Sequence, residues 1–128
     1  LTQVAMKAAF EKGFPWVEAF VAHLQTCRDM AYDRLNAMPG IHADKQEATF
    51  VTFFDMRETG VSSDDFARYI LERSRVYLVP GNKQWFGPGA AGHVRLCYAT
   101  SHAILQEGLD RIERGVQELM NGGRLPNS

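Results

Sequence analysis

The sequence predicts an α/β fold, an α+β sandwich in which helices pack against a small mixed or antiparallel sheet. Three observations carry this. Apolar residues recur every three to four positions over residues 16–38 and again over 105–119, the spacing of amphipathic helices. "ATFVTFFD" (48–55) is a run of β-branched and aromatic residues. "HVRLCYA" (93–99) alternates with a period of two, the mark of a strand. At 128 residues the chain has the size of one domain with a core of its own. It carries no repeat, low-complexity tract or long linker, so one domain is expected over 1–128: helices over 1–38, sheet and helices over 39–122, and a tail over 123–128.

The elements follow in order. Residues 2–12 read as a short helix closed by Gly13, and Pro15 suits the first turn of a long one. That helix carries Trp16, Val17, Phe20, Val21, Leu24, Cys27, Ala31, Leu35 and Met38 as its stripe and ends near Ala37, at "MPG". About 22 residues at 1.5 Å each extend about 33 Å, long enough to reach past a small core. The apolar run 48–55 reads as a strand covered on both faces. Ser62 and Asp65 stand at capping-box spacing and start a helix that buries Phe66, Tyr69 and Ile70 and ends near Ser74. "VYLVPG" is a short strand stopped by Pro80-Gly81, followed by a glycine-rich loop. In the strand 93–99, Val94, Leu96 and Tyr98 share one face, and His93, Arg95 and Cys97 the other. Ser101 caps a last helix striped by Leu105, Leu109, Ile112, Val116 and Leu119, which Gly122-Gly123 end. The tail "RLPNS" is expected to fray.

Bulk properties exclude several function classes. Apolar residues make up 45% and charged residues 23%, as in ordinary globular domains. Net charge is −1 and the basic residues are scattered, which leaves no electrostatic footprint for nucleic acid or an anionic membrane surface. No apolar run approaches the ~20 residues of a membrane span, and no signal peptide is evident, so the expected compartment is cytoplasmic. Cys27 and Cys97 lie far apart and are expected as buried, reduced thiols without metal-site spacing. The chain starts inside a helical pattern without Met, which suggests a segment of a longer protein.

Two features stand out as candidate sites. The loop 81–92 holds a G-x-G-x-x-G spacing at Gly87, Gly89 and Gly92, but it leads into a strand. A phosphate cradle needs a helix N-terminus there, so phosphate binding is not expected. Trp85 and Phe86 interrupt the glycines, and large apolar side chains on such a loop suit contact with something outside the domain. Arg95 stands mid-strand between Val94 and Leu96 and must reach solvent, an internal acid or an anionic ligand. A guanidinium is the natural bidentate grip for a carboxylate. His23, His42, His93 and His102 show neither metal-ligand spacing nor a triad, and the acids of "SSDDF" serve helix capping. No self-sufficient catalytic, cofactor or metal site is legible in the residues.

The segment "PG….FGPGAAGHVRLCYATS", followed by the helix "LQEGLDRIERGVQEL", resembles the C-terminal part of class I/II aminotransferases, the fold-type-I enzymes that depend on pyridoxal 5'-phosphate. The matching positions are Pro80, Gly81, Phe86, Gly87, Gly89, Gly92, Val94, Arg95, Leu96, Tyr98, Ala99 and Ser101. Upstream, "CRDMAYDRLNAMPGI" and "EATFVTFFD" resemble the family's Arg-Asp helix, its Pro-Gly-Ile turn and its next strand. Two departures stand out: "NKQW" lengthens the gap between Pro-Gly and Phe-Gly, and "CRD" replaces a common Arg-Arg-Asp.

The resemblance implies a small domain that closes over cofactor and substrate, with residues 1–38 including the interdomain helix. It implies that Arg95 pairs with the substrate α-carboxylate, and that Trp85, Phe86 and Gly87, with Lys83, lie near the substrate pocket. It also implies a missing N-terminal large domain that holds the cofactor, a homodimer, and amino-acid and 2-oxo-acid substrates. None of Lys7, Lys12, Lys45 and Lys83 lies in the family's Ser/Thr-x-x-Lys setting, so this chain alone is expected neither to bind the cofactor covalently nor to turn over substrate. Two other functions fit the same domain: a C–S β-lyase, and a non-catalytic interaction module that has lost the chemistry.

Overall fold

A computed structural model of the chain describes residues 1–123. The expected tail "RLPNS" lies outside them. Helix α1 (Thr2–Lys12) and helix α2 (Phe14–Asn36) lead into strand β1 (Val51–Asp55) and helix α3 (Ser63–Ser74). Strand β2 (Val79–Pro80), a single-turn helix α4 (Lys83–Phe86), strand β3 (His93–Cys97) and helix α5 (His102–Met120) complete the chain. The sheet is antiparallel with β3 in the middle, between β1 and β2.

One core joins α2, β1, α3, β3 and α5. Its members include Cys27, Ala31 and Leu35 from α2, Phe54 from β1, Phe66 and Ile70 from α3, Val94 and Leu96 from β3, and Leu109, Ile112 and Val116 from α5. Helix α3 lies against β2, β3 and α5, and α5 also lies against α2. Phe54 meets Phe66 edge-to-face at 6.3 Å, a favoured aromatic geometry. Arg34 of α2 donates to Asp110 and Glu113 of α5 at 2.6 and 2.7 Å, which clamps the two longest helices. The expected caps form: Ser62 accepts from Asp65 N, and Ser101 from Ile104 N. The α5 stripe is buried as its spacing predicts.

The structure corrects several expectations. β1 spans only 51–55, because Thr49 takes a left-handed φ of 71° and interrupts the extended run. Nor is β1 covered on both faces: Thr52 and Phe54 are buried, whereas Val51, Phe53 and Asp55 are half-buried. β3 ends at Cys97, though Tyr98 stays buried and donates its hydroxyl to Thr49 O at 3.2 Å. Cys97 is exposed, because it lies on the face opposite the core; only Cys27 is buried. The α2 stripe does not bury throughout: Trp16, Val17 and Val21 are exposed, because α2 extends beyond the core that Cys27, Ala31 and Leu35 enter.

The glycine-rich stretch is folded rather than open. Asn82 caps α4 by accepting from Trp85 N at 3.1 Å, and a 3-10 turn follows over Pro88–Ala90. Both ends are tied to the start of α3. Asn82 Nδ2 donates to Asp64 Oδ1 at 3.1 Å, and Gly92 N donates to Ser63 Oγ at 2.9 Å. The "SSDDF" segment therefore does more than cap a helix. Gly81 is required by close approach, since a Cβ there would meet Ala90 O at 2.3 Å and His93 O at 2.6 Å.

Candidate functional site

The outer face of the sheet carries the candidate site. On β3, His93, Arg95 and Cys97 point away from the core, and Arg95 pairs with Phe53 on one side and Val79 on the other. Arg95 is half-buried. Its guanidinium lies over the Phe86 ring, 5.7 Å from the centroid. Phe86 also packs on Phe53 at 5.2 Å, and Phe53 on His93 at 5.3 Å. The capped turn of α4 sets Phe86 there, so the "NKQW" insert builds one wall of the site.

Among the described residues, Arg95 makes no ion pair, whereas Arg28, Arg34, Arg57, Arg68 and Arg111 all do. Of the three destinations open to this arginine, an internal acid is therefore not taken up. A cation against an aromatic wall, with its fork unpartnered, suits a carboxylate or another planar anion. Asp55 on the same face is engaged elsewhere. Arg57 holds it through its guanidinium and backbone N–H, and this pushes the Asp55 carboxyl down to about 2.

The other expected site residues divide. Trp85 is 72% exposed on α4, and no aromatic or cation contact engages it among the described residues. Gly87 ends α4 with φ 87°, a left-handed value natural for glycine. Lys83 is exposed at the first position of α4. Phe53 and His93 were missed as wall residues: alternation puts His93 on the Arg95 face, whereas only the β1–β3 register brings Phe53 there. The groove between α2 and residues 46–50, lined by Leu24, Arg28, Phe50 and Tyr98, does not include Arg95.

A second cluster was also missed. The ligand atoms of His23, Cys27 and His102 lie within 4.8 Å of one another. The four-residue spacing of His23 and Cys27 on a predicted helix could have pointed to it. His102 could not have been added without the fold.

The sequence model "Aminotransferase class I and II" matches residues 1–112. The chain belongs to the class I and II aminotransferase family. An aspartate aminotransferase of Pyrococcus horikoshii is 35% identical over 107 residues, 84% of this chain and 27% of that protein. A cystathionine beta-lyase of Bacillus subtilis is 32% identical over 110 residues, 85% of this chain and 28% of that protein. Among solved structures, an aromatic aminotransferase from Pyrococcus horikoshii superposes with a TM-score of 0.79 at 34% identity, covering 84% of this chain and 28% of that one. A PLP-bound putative aminotransferase from Clostridium difficile gives 0.82 at 29% identity, covering 88% and 29%. This aminotransferase-family chain thus spans a little over a quarter of the length of these relatives.

The family's cofactor does not fit the residues present. A Schiff-base lysine needs a sheltered site with a lowered pKa. Lys7, Lys12, Lys45 and Lys83 are all exposed, and Lys7 and Lys45 are engaged by Glu11 and Asp29. No step through that group is assigned to this chain. Among the described residues no helix is long and apolar enough to cross a membrane.

Proposed function

We propose that the chain is the C-terminal small domain of a longer pyridoxal-phosphate-dependent aminotransferase, and that Arg95 binds the α-carboxylate of its amino-acid and 2-oxo-acid substrates. One observation carries the role: a half-buried arginine on the outer sheet face, braced by Phe86, makes no ion pair among the described residues. A bidentate grip by a planar fork holds both the position and the rotation of a carboxylate, and such positioning accelerates whatever chemistry follows at the neighbouring carbon. The exposed apolar row from Val4 through Phe10, Phe14 and Trp16 supports contact with the rest of the enzyme, as large domain or as second subunit of a homodimer. The cofactor is held by that remainder, and the 128-residue chain alone turns over no substrate.

Arg95→Lys in the full-length enzyme tests the role. A charge-assisted bond pair is worth about 1.5–3 kcal/mol, so KM for the amino acid should rise about 10- to 150-fold. An unchanged KM for every amino-acid substrate removes Arg95 from carboxylate binding.

A C–S β-lyase is the second reading, favoured by the 32% identity to a cystathionine beta-lyase beside 35% to an aspartate aminotransferase. The product decides between them. Transamination requires a 2-oxo acid, whereas the lyase releases pyruvate and a thiol from a cysteine conjugate without one.

A further inference from the structure

His23 and Cys27 stand one turn apart on the same face of α2, and His102 opens α5 beside them. The His102 ring stacks on the His23 ring, with centroids 4.5 Å apart and planes at 24°. His23 Nε2 lies 3.4 Å from Cys27 Sγ. Tetrahedral zinc, with bonds of about 2.0 Å to nitrogen and about 2.3 Å to sulfur, holds such a pair about 3.5 Å apart. Two of the three ligands are therefore already at coordination spacing.

Burial is graded across the cluster: Cys27 is buried, His23 half-buried and His102 exposed. A metal there would have a dry thiolate on its inner side and an outer side open to water. Without a metal, His23 and Cys27 both lean on one acceptor, the Thr100 carbonyl. His23 Nε2 lies 2.7 Å from Thr100 O, and Cys27 Sγ lies 3.7 Å from the same carbonyl. If Nε2–H donates to Thr100 O, that nitrogen cannot accept the thiol proton, and the thiol keeps only the long contact.

We propose that His23, Cys27 and His102 form a three-ligand site for a borderline-soft divalent metal ion of the zinc class, with water in the fourth position. One thiolate and two neutral imidazoles suit zinc; magnesium and calcium prefer oxygen donors, which the set lacks. Binding forms the metal–sulfur bond and breaks the S–H bond of Cys27, whose proton passes to the buffer. His23 turns Nε2 from Thr100 O to the ion, and the exposed His102 ring leaves its stack on His23 to reach it. The site shares no residue with the Arg95 face, so it stands or falls independently of carboxylate binding.

Co2+ is the probe, added to the reduced, metal-free 128-residue chain carrying Cys97→Ser, so that Cys27 is the one thiol. One equivalent should produce a thiolate-to-cobalt charge-transfer band with tetrahedral ligand-field bands. Zn2+ should then bleach both, and one proton should be released per ion. Cys27→Ser should abolish the charge-transfer band. His102→Ala, an exposed change with no effect on circular dichroism, should weaken Co2+ by more than the about tenfold that loss of an outer-shell partner costs. The site is overturned if one equivalent gives no charge-transfer band, if the band survives Cys27→Ser, or if His102→Ala binds Co2+ as before. In any of those cases His23 serves only to satisfy the Thr100 carbonyl.

Discussion

The Arg95 guanidinium sits 5.7 Å from the centre of the Phe86 ring, and Phe86 is held there by a helical turn that Asn82 caps. The aromatic residue restricts the arginine without neutralising it. A charge that is positioned but not paired keeps its full attraction for an incoming anion.

Phe86→Leu should therefore weaken carboxylate binding while leaving the charge in place. A cation–π contact at a partly exposed site is worth about 0.5–1 kcal/mol, so KM should rise about two- to fivefold. Steady-state kinetics on the full-length enzyme should show kcat little changed. A fall in kcat with constant KM would mean that Phe86 acts elsewhere.

Gly81→Ala should destabilise the fold. The added methyl group would meet Ala90 O at 2.3 Å, His93 O at 2.6 Å and Phe53 Cζ at 2.8 Å, and two of these are backbone atoms that cannot move aside. Overpacking of this kind costs about 1–3 kcal/mol. Urea unfolding should show a lower midpoint with an unchanged slope.

Asp55 predicts a loss of stability in acid. Arg57 holds its carboxyl at about 2, below the usual 3.8, so the ionised form is favoured in the folded state. Its contribution is fully present above the unfolded value and is lost as pH falls from about 4 through about 2. Asp55→Asn should flatten that part of the stability curve, measured by urea midpoints across the acid range. An equally steep fall in the variant would assign the acid sensitivity to other carboxylates.

Arg34 joins α2 to α5 through Asp110 and Glu113, with its own side chain 30% exposed. Arg34→Met keeps much of the stem and removes both ion pairs. Exposed pairs contribute about 0.2–1 kcal/mol each, so a cost of about 1 kcal/mol is expected, shrinking in high salt. Thermal unfolding at low and high ionic strength should show the wild type converging on the variant. A salt-independent difference would point to packing of the stem instead.

The sequence by itself determined most of the architecture. Local chemistry decided the helix starts at Ser62 and Ser101, the α5 stripe, and the face division of Val94 and Leu96 from Arg95, because caps and periodicity act over a few residues. Arg95 itself was legible as an arginine that alternation removes from the core. Tertiary structure decided the rest. It broke the apolar run at Thr49, exposed Cys97, and folded the glycine-rich stretch through bonds from Asn82 to Asp64 and from Gly92 to Ser63. It left Arg95 without an ion pair among the described residues while placing Phe86 beside it, and it brought His102 to His23 and Cys27 across more than seventy residues. The bonds from Asn82 and Gly92 to the start of α3, and the meeting of His102 with α2, are contacts between segments remote in sequence. No local propensity encodes such a contact; it forms only when the shared core of α2, α3, β3 and α5 brings the segments together.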